Sequence, residues 1–290
     1  MPTKIEKDAV TGQDTTGHEW DGIKELNTPL PRWWLYVLYA TILISIVYFV
    51  LYPAIPWGTG YTEGLLGHTE RKALEKSMSE LRASRAVYID EIAKAPLDEI
   101  RARPELFKFA AAGGKSAFAD NCAPCHAAGG AGRPGFPSLA DDIWLWGGKL
   151  TEIEQTIRHG VRWEKDEDTR LSEMPRFGAD KILATAEIEQ LATYVLSLSG
   201  GGTASAGETT TAALYTEQCA SCHGPAGQGN REFGAPRLAD AVWLYGGSRE
   251  AVARQIAAPR HGVMPAWGGR LDAATIKMLT LYVHSLGGGE

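Results

Sequence analysis

The sequence predicts a mainly α-helical protein with one N-terminal transmembrane helix, a helical connector and two tandem domains of one small fold. Three observations carry this reading. An uncharged run extends from Trp33 to Tyr52. Residues 69–95 are crowded with helix formers. From about residue 104 onward, a set of sequence elements occurs twice in the same order. The expected segments are an N-terminal piece at 1–31, a transmembrane helix at 32–53 and a connector at 54–103. A first domain follows at 104–200, then a linker at 201–209 and a second domain at 210–290.

Residues 1–31 are polar, and no apolar core precedes residue 33, so a cleaved signal peptide is not expected. The run WWLYVLYATILISIVYFVLY would span about 30 Å as a helix, the thickness of a bilayer's hydrocarbon core. Trp33, Trp34 and Tyr36 at one end, with Tyr52 and Trp57 at the other, suit the two interfaces. Lys24 and Arg32 precede the run, whereas Pro53 to Glu70 holds no Lys or Arg. The excess of cations therefore predicts a cytoplasmic N-terminus and a long C-terminal part on the other side. Beyond the span, Leu74, Met78, Leu81 and Val87 lie near helical spacing. They fit either a docked connector helix or a solvated spacer.

Composition bounds the partners. The chain of 290 residues has 44% hydrophobic and 22% charged residues, ordinary values for a globular protein. A net charge of −6 argues against nucleic acid as a partner and leaves a basic protein surface open.

All four cysteines fall in two copies of one motif, Cys122-Ala-Pro-Cys125-His126 and Cys219-Ala-Ser-Cys222-His223. C-x-x-C-H is the attachment signature of c-type haem. Two thiols add to the two vinyl groups on one porphyrin edge, and the next imidazole then lies under the iron as its proximal ligand. A zinc site would place its two C-x-x-C halves roughly 15–20 residues apart, whereas these are nearly a hundred apart. A thioredoxin-like pair needs no following His. Two covalently bound haem c groups are expected. Covalent haem attachment in bacteria resembles a process of the periplasmic side, which agrees with the orientation read from the cations.

Around the motifs the duplication continues. ADDIWLWGG at 140–148 returns as ADAVWLYGG at 239–247. Arg158-His159-Gly160-Val161 returns as Arg260-His261-Gly262-Val263, and Met174-Pro175 as Met264-Pro265. LATYVLSL at 191–198 returns as LTLYVHSL at 279–286. Gly, Ser, Ala and Thr fill the tract between the two copies.

Each copy resembles a class I cytochrome c. That resemblance implies an N-terminal helix crossing a C-terminal helix through aromatic residues. Phe118 and Tyr215 match the first aromatic, and Tyr194 and Tyr282 the second. Gly114 matches the small residue at the crossing, where the second copy has Thr211. The resemblance also implies a distal methionine from the loop before the last helix, which selects Met174 and Met264. His159 and His261 are the rivals, and which Met serves which haem stays open. Pro137 and Pro236 match the proline whose carbonyl orients the proximal imidazole. Trp144, Trp243, Arg133 and Arg237 suit either haem propionates or ordinary packing. The copies differ at residues 162–173, a charged insertion in the first that reads as a solvated loop or a partner's docking edge. His18, His68 and His284 have no counterparts in the repeat and read as structural or exposed.

The whole arrangement resembles the dihaem FixP/CcoP subunit of cbb3-type cytochrome c oxidases, strengthened by the duplicated A-D-x-x-W-L-x-G-G and the P-R-W-W entry to the span. The resemblance implies a single-pass protein of the bacterial inner membrane with its haem domains in the periplasm. It implies electrons arriving from a donor cytochrome c or the cytochrome bc complex and leaving for the monohaem and catalytic subunits, which reduce oxygen and pump protons. No catalytic site is expected on this chain. A free anchored shuttle or a dehydrogenase's cytochrome subunit fits the same spacing. A dihaem peroxidase would need one five-coordinate haem, against which both methionines argue.

Overall fold

The structure is a computed structural model that describes residues 4–199 and 208–290. The expected linker at 201–209 lies outside the described residues as far as 207, and Glu208 already begins a helix. The chain divides into two compact units, Met1–Ser84 and Arg85–Glu290.

The first unit opens with a hairpin that the sequence reading did not anticipate, β1 (Thr15–Trp20) and β2 (Ile23–Leu26). Its turn is Asp21-Gly22, with φ of 49° and 85°. Two successive left-handed residues make the turn whose twist matches antiparallel strands, and Asp-Gly is its common sequence. Trp20 Nε1 donates to Glu25 at 3.0 Å across the pair, and Lys24 meets Glu6 at 2.6 Å.

Helix α1 (Arg32–Leu51) follows, with no buried residue along its length. A 20-residue apolar helix that finds no protein cover suits lipid and not a soluble core. Past its end the chain forms a short hairpin, β3 (Pro56–Trp57) and β4 (Gly60–Tyr61), and folds back. Leu65 N donates to Val50 O at 2.9 Å and Leu66 N to Leu51 O at 3.2 Å. These bonds satisfy carbonyls that a helix end otherwise leaves unpaired. The approach requires Gly64, since a Cβ there would lie 2.1 Å from Leu51 O.

Helix α2 runs from Glu70 to Lys94, and Leu74, Met78, Leu81 and Val87 all stay exposed on it. Within the second unit the connector is docked through different residues. Ile92, Ala95, Leu97 and Ile100 join Leu106, Ala110, Leu150, Met278 and Leu281 in one core. Helix α3 (Leu97–Ala102) supplies two of them. Lys277 Nζ donates to Ala93 O at 2.9 Å and Ala95 O at 2.7 Å, a cation at the C-terminal end of α2. The last part of the connector is therefore not a solvated spacer.

The remaining helices are α4 (Pro104–Asn121), α5 (Ala123–His126), α6 (Leu150–His159) and α7 (Thr185–Ser199) in the first repeat. In the second they are α8 (Glu208–Gln218), α9 (Ala220–His223), α10 (Arg249–Ala257) and α11 (Ala273–His284). Helices of the two repeats pack against each other. Helix α4 of the first repeat packs across α11 of the second, and α6 packs on α11 as well. Conversely α7 packs on α8 and α10. Phe118 meets Tyr282 edge-on at 5.4 Å, and Tyr194 meets Tyr215 at 5.3 Å, so both aromatic pairs join opposite repeats. Gly114 marks the α4–α11 crossing, where a Cβ would lie 2.1 Å from Met278 O. Thr211 is buried in the other lobe.

Two lobes result. Lobe A takes α4–α6 and the chain from Met264 to the end; lobe B takes Met174 through α7 and α8 through α10. Among the described residues the chain crosses between them twice, once through 162–173 and once at Val263–Met264. Val161 and Met264 exchange both backbone bonds there, at 2.9 and 3.0 Å.

Candidate haem sites

Each C-x-x-C-H folds as a single helical turn, with His126 N bonded to Cys122 O and His223 N to Cys219 O, both at 2.9 Å. The turn sets the second thiol and the imidazole on successive positions beside the first thiol. All four thiols are free. His126 Nδ1 lies 3.0 Å from Pro137 O, and His223 Nδ1 lies 2.9 Å from Pro236 O. A carbonyl only accepts, so Nδ1 carries the proton and Nε2 keeps the lone pair that a metal needs. Burial holds both imidazoles below the usual histidine range, which favours the neutral, coordinating form.

Burial also pushes the Cys122 and Cys219 thiols up to about 11. Zinc sites use thiolates, and among the described residues no cysteine belongs to a group of three metal-ligating side chains. The donor set fits two thioether-bound haem groups, each with one imidazole, and does not fit zinc.

Met264 packs with Cys122, Ala123 and Trp144 around Phe118, Ile153 and Ile157 in lobe A. Met174 packs with Cys219, Ala220 and Trp243 around Tyr215 and Val252 in lobe B. Each methionine therefore sits with the motif of the other repeat. The rival histidines are engaged elsewhere. His159 Nδ1 contacts Asp166 Oδ1 at 3.0 Å, and His261 Nε2 accepts from Met174 N at 3.0 Å. Burial and the neighbouring Arg162 charge hold His261 below its ordinary range.

The Arg133 guanidinium donates to Ala123 O at 3.2 Å and to Pro124 O, tying down the motif's own turn. Trp144 Nε1 donates to Gly288 O at 2.8 Å, and Trp243 lies in the lobe B core. Arg237 and Trp144 line a cleft of about 360 Å³ between residues 142–145 and 228–237. Of the unmatched histidines, His284 Nε2 meets Glu290 O at 3.0 Å and His68 packs against Tyr52 at 5.8 Å. His18 packs against Trp20 at 6.4 Å.

The insertion at 162–173 is not a freely solvated loop. Arg162 Nε donates to Gly262 O at 2.7 Å and its Nη1 to Ser172 O at 2.9 Å. Arg170 Nε donates to Thr156 Oγ1 at 2.8 Å, and its guanidinium lies over Trp146 at 5.3 Å. Sequence reasoning missed these arginines because their charge suggested solvent. Their signal would have been an arginine near each end of the segment, each able to satisfy backbone carbonyls that a crossing chain exposes.

Comparison with known proteins agrees along the chain. Residues 12–59 match the N-terminal domain of cytochrome oxidase-cbb3, FixP; residues 111–199 match cytochrome c; and residues 206–283 match cytochrome c oxidase, cbb3-type, subunit III. The chain is 50% identical over 287 residues to the cbb3-type cytochrome c oxidase subunit FixP of Azorhizobium caulinodans, covering 98% of this chain and 96% of that one. It is 49% identical over 292 residues to subunit CcoP of Azospirillum brasilense, covering 98% and 99%. With FixP of Rhizobium meliloti it shares 50% over 283 residues, covering 98% and 97%.

Proposed function

Because the chain belongs to the FixP/CcoP family of cbb3-type cytochrome c oxidase subunits, we propose that it relays electrons into such an oxidase. The donor is a cytochrome c or the cytochrome bc complex. The acceptors are the monohaem and catalytic subunits of the complex, which reduces oxygen and pumps protons. The chain is anchored in the bacterial inner membrane by α1, with Lys24 and Arg32 on the cytoplasmic side and the haem lobes in the periplasm.

One observation carries the reading: in each lobe the first cysteine of a C-x-x-C-H motif shares a core with a methionine from the other repeat, and the motif's imidazole is bonded through Nδ1 to a proline carbonyl. The ligand assignment is therefore crossed. Cys122, Cys125 and His126 would hold one haem c together with Met264; Cys219, Cys222 and His223 would hold the second together with Met174. Haem c with His–Met ligation supplies a one-electron carrier of raised potential. The chain's residues do the rest. Pro137 and Pro236 fix the imidazole planes through their carbonyls and raise their basicity. Phe118 and Tyr215, both fully buried, keep water from the helix crossings beside the motifs. With a histidine and a methionine as its ligands, each haem would pass electrons and would not bind a substrate.

The test is purification of the tagged full chain in mild detergent, followed by haem typing and oxygen uptake with reduced cytochrome c. Copurified b-type haem and cyanide-sensitive uptake are expected. Haem c alone, with no uptake, would replace the oxidase assignment with a free anchored shuttle or a dehydrogenase subunit.

A further inference from the structure

The two methionine loops are held in different ways. Met264 is laddered to Val161 through two backbone bonds, Val161 N to Met264 O at 2.9 Å and Met264 N to Val161 O at 3.0 Å. No side chain takes part in that ladder, so substitution around it leaves it standing. Met174 is held otherwise. Its N–H donates to His261 Nε2 at 3.0 Å, and Pro175 behind it has no N–H to offer. The same two segments are tied a second time by Arg162, which donates to Gly262 O at 2.7 Å and Ser172 O at 2.9 Å.

The cause is visible in the repeat. In the first copy His159 precedes the insertion and turns to Asp166, 3.0 Å away. In the second copy Val263 leads straight into Met264, which leaves for lobe A, so His261 remains beside the incoming Met174. Equivalent residues of the duplication thus have different jobs. His261 accepts from a loop of the other repeat, whereas His159 binds its own.

We infer that His261, backed by Arg162, is the positioning residue for Met174 and so sets the strength of the sixth bond at the lobe B haem alone. The inference rests on the crossed ligand assignment above. Loss of a single such hydrogen bond shifts a bound–unbound equilibrium by roughly three- to tenfold. The displacement of Met174 by an added ligand should ease by that factor, while Met264 stays as it is.

The experiment uses the haem-loaded full chain in detergent, with His261→Ala, His261→Gln, Arg162→Met, His159→Ala and Met174→Leu. Three readouts are taken: the near-infrared methionine-to-iron charge-transfer band, carbon monoxide binding to the reduced protein, and a potentiometric titration resolving both haems. His261→Ala is expected to weaken the band of one haem, ease carbon monoxide binding there by roughly three- to tenfold, and lower that haem's potential only. His261→Gln, which returns an acceptor at similar reach, should restore most of the loss, and His159→Ala should change none of it. Arg162→Met should act in the same direction as His261→Ala, and it decides the matter if the alanine variant does not accumulate. Unchanged band, binding and potentials in His261→Ala would overturn the inference, as would equal changes at both haems or no rescue by Gln. Met174→Leu separates the two readings. If it leaves both haems six-coordinate, or opens the haem bound to Cys122 and Cys125, the ligand assignment fails; if it opens the haem bound to Cys219 and Cys222 while His261→Ala changes nothing, the assignment stands and the positioning role fails.

Discussion

Gly114→Ala is the perturbation that most directly probes how the two repeats are joined. The added methyl would lie 2.1 Å from the Met278 carbonyl oxygen and 2.7 Å from Tyr282 Cβ. The nearest atom is backbone, so it cannot turn aside. Helices α4 and α11 would have to part by more than about 1 Å to restore ordinary contact. Overpacking of this kind costs about 1–3 kcal/mol, against a gain of about 1 kcal/mol from alanine's better helix propensity. The net loss is up to about 2 kcal/mol, or up to roughly 8 °C in Tm for a unit of this size. Gly113→Ala is the control on the same helix. Its methyl would meet Met278 Sδ at 2.6 Å, the tip of a flexible side chain that can move. Gly113→Ala should therefore match or exceed the parent in stability. The assay is thermal unfolding of the haem-loaded chain, followed by far-ultraviolet circular dichroism. A Gly114→Ala Tm equal to that of Gly113→Ala would refute the close α4–α11 crossing and with it the exchange of helices between repeats.

Three further outcomes are expected. In a chain whose Cys219 and Cys222 are replaced by alanine, Met264→Leu should open the remaining haem to carbon monoxide and Met174→Leu should not; the opposite pattern would refute the crossed ligands. Lys277→Ala removes two bonds to the end of α2 and should cost about 1–2 kcal/mol, read as faster amide exchange at residues 93–97 with little change in α10. Tyr215 is fully buried, its hydroxyl donates to Gly224 O at 2.8 Å, and burial pushes its pKa up to about 12. Above an ordinary tyrosine value of about 10 the unfolded chain loses this proton before the folded one does, so stability falls as pH rises from about 10 toward 12. Tyr215→Phe should flatten that alkaline decline, and Tm measured across the window checks it.

Much of the candidate site is legible in the sequence because its chemistry is local. The C-x-x-C-H turn needs only five consecutive residues, and both copies adopt the single helical turn that their spacing allows. The apolar run of α1 reports its surroundings by composition alone. The hairpin at residues 15–26 was equally local, and Asp21-Gly22 was its signal, but the exposed, polar strands around it hid the alternation that would have revealed it. The docking face of the connector was misplaced along α2 because Leu74, Met78 and Leu81 have the same helical spacing as a buried stripe. Ile92 and Ile100, both fully buried, are the residues that dock.

By itself the sequence determined that a C-x-x-C-H motif and the elements around it occur twice in the same order; its resemblance to class I cytochromes c added an aromatic on each of two helices, a loop methionine and a proline carbonyl for the imidazole. It could not determine which copy of one element meets which copy of the next. Phe118 and Tyr215 are near equivalents, as are Tyr194 and Tyr282, so pairing within a repeat and pairing between repeats bury similar surfaces. Only the tertiary structure breaks that degeneracy. Residues 162–173 supply the length and the arginines to carry the chain into lobe B, while Val263–Met264 returns it to lobe A without any spacer. The partners of Gly114, Met174 and Met264 follow from those two crossings, and crossings are long-range contacts whose choice depends on packing across the whole unit.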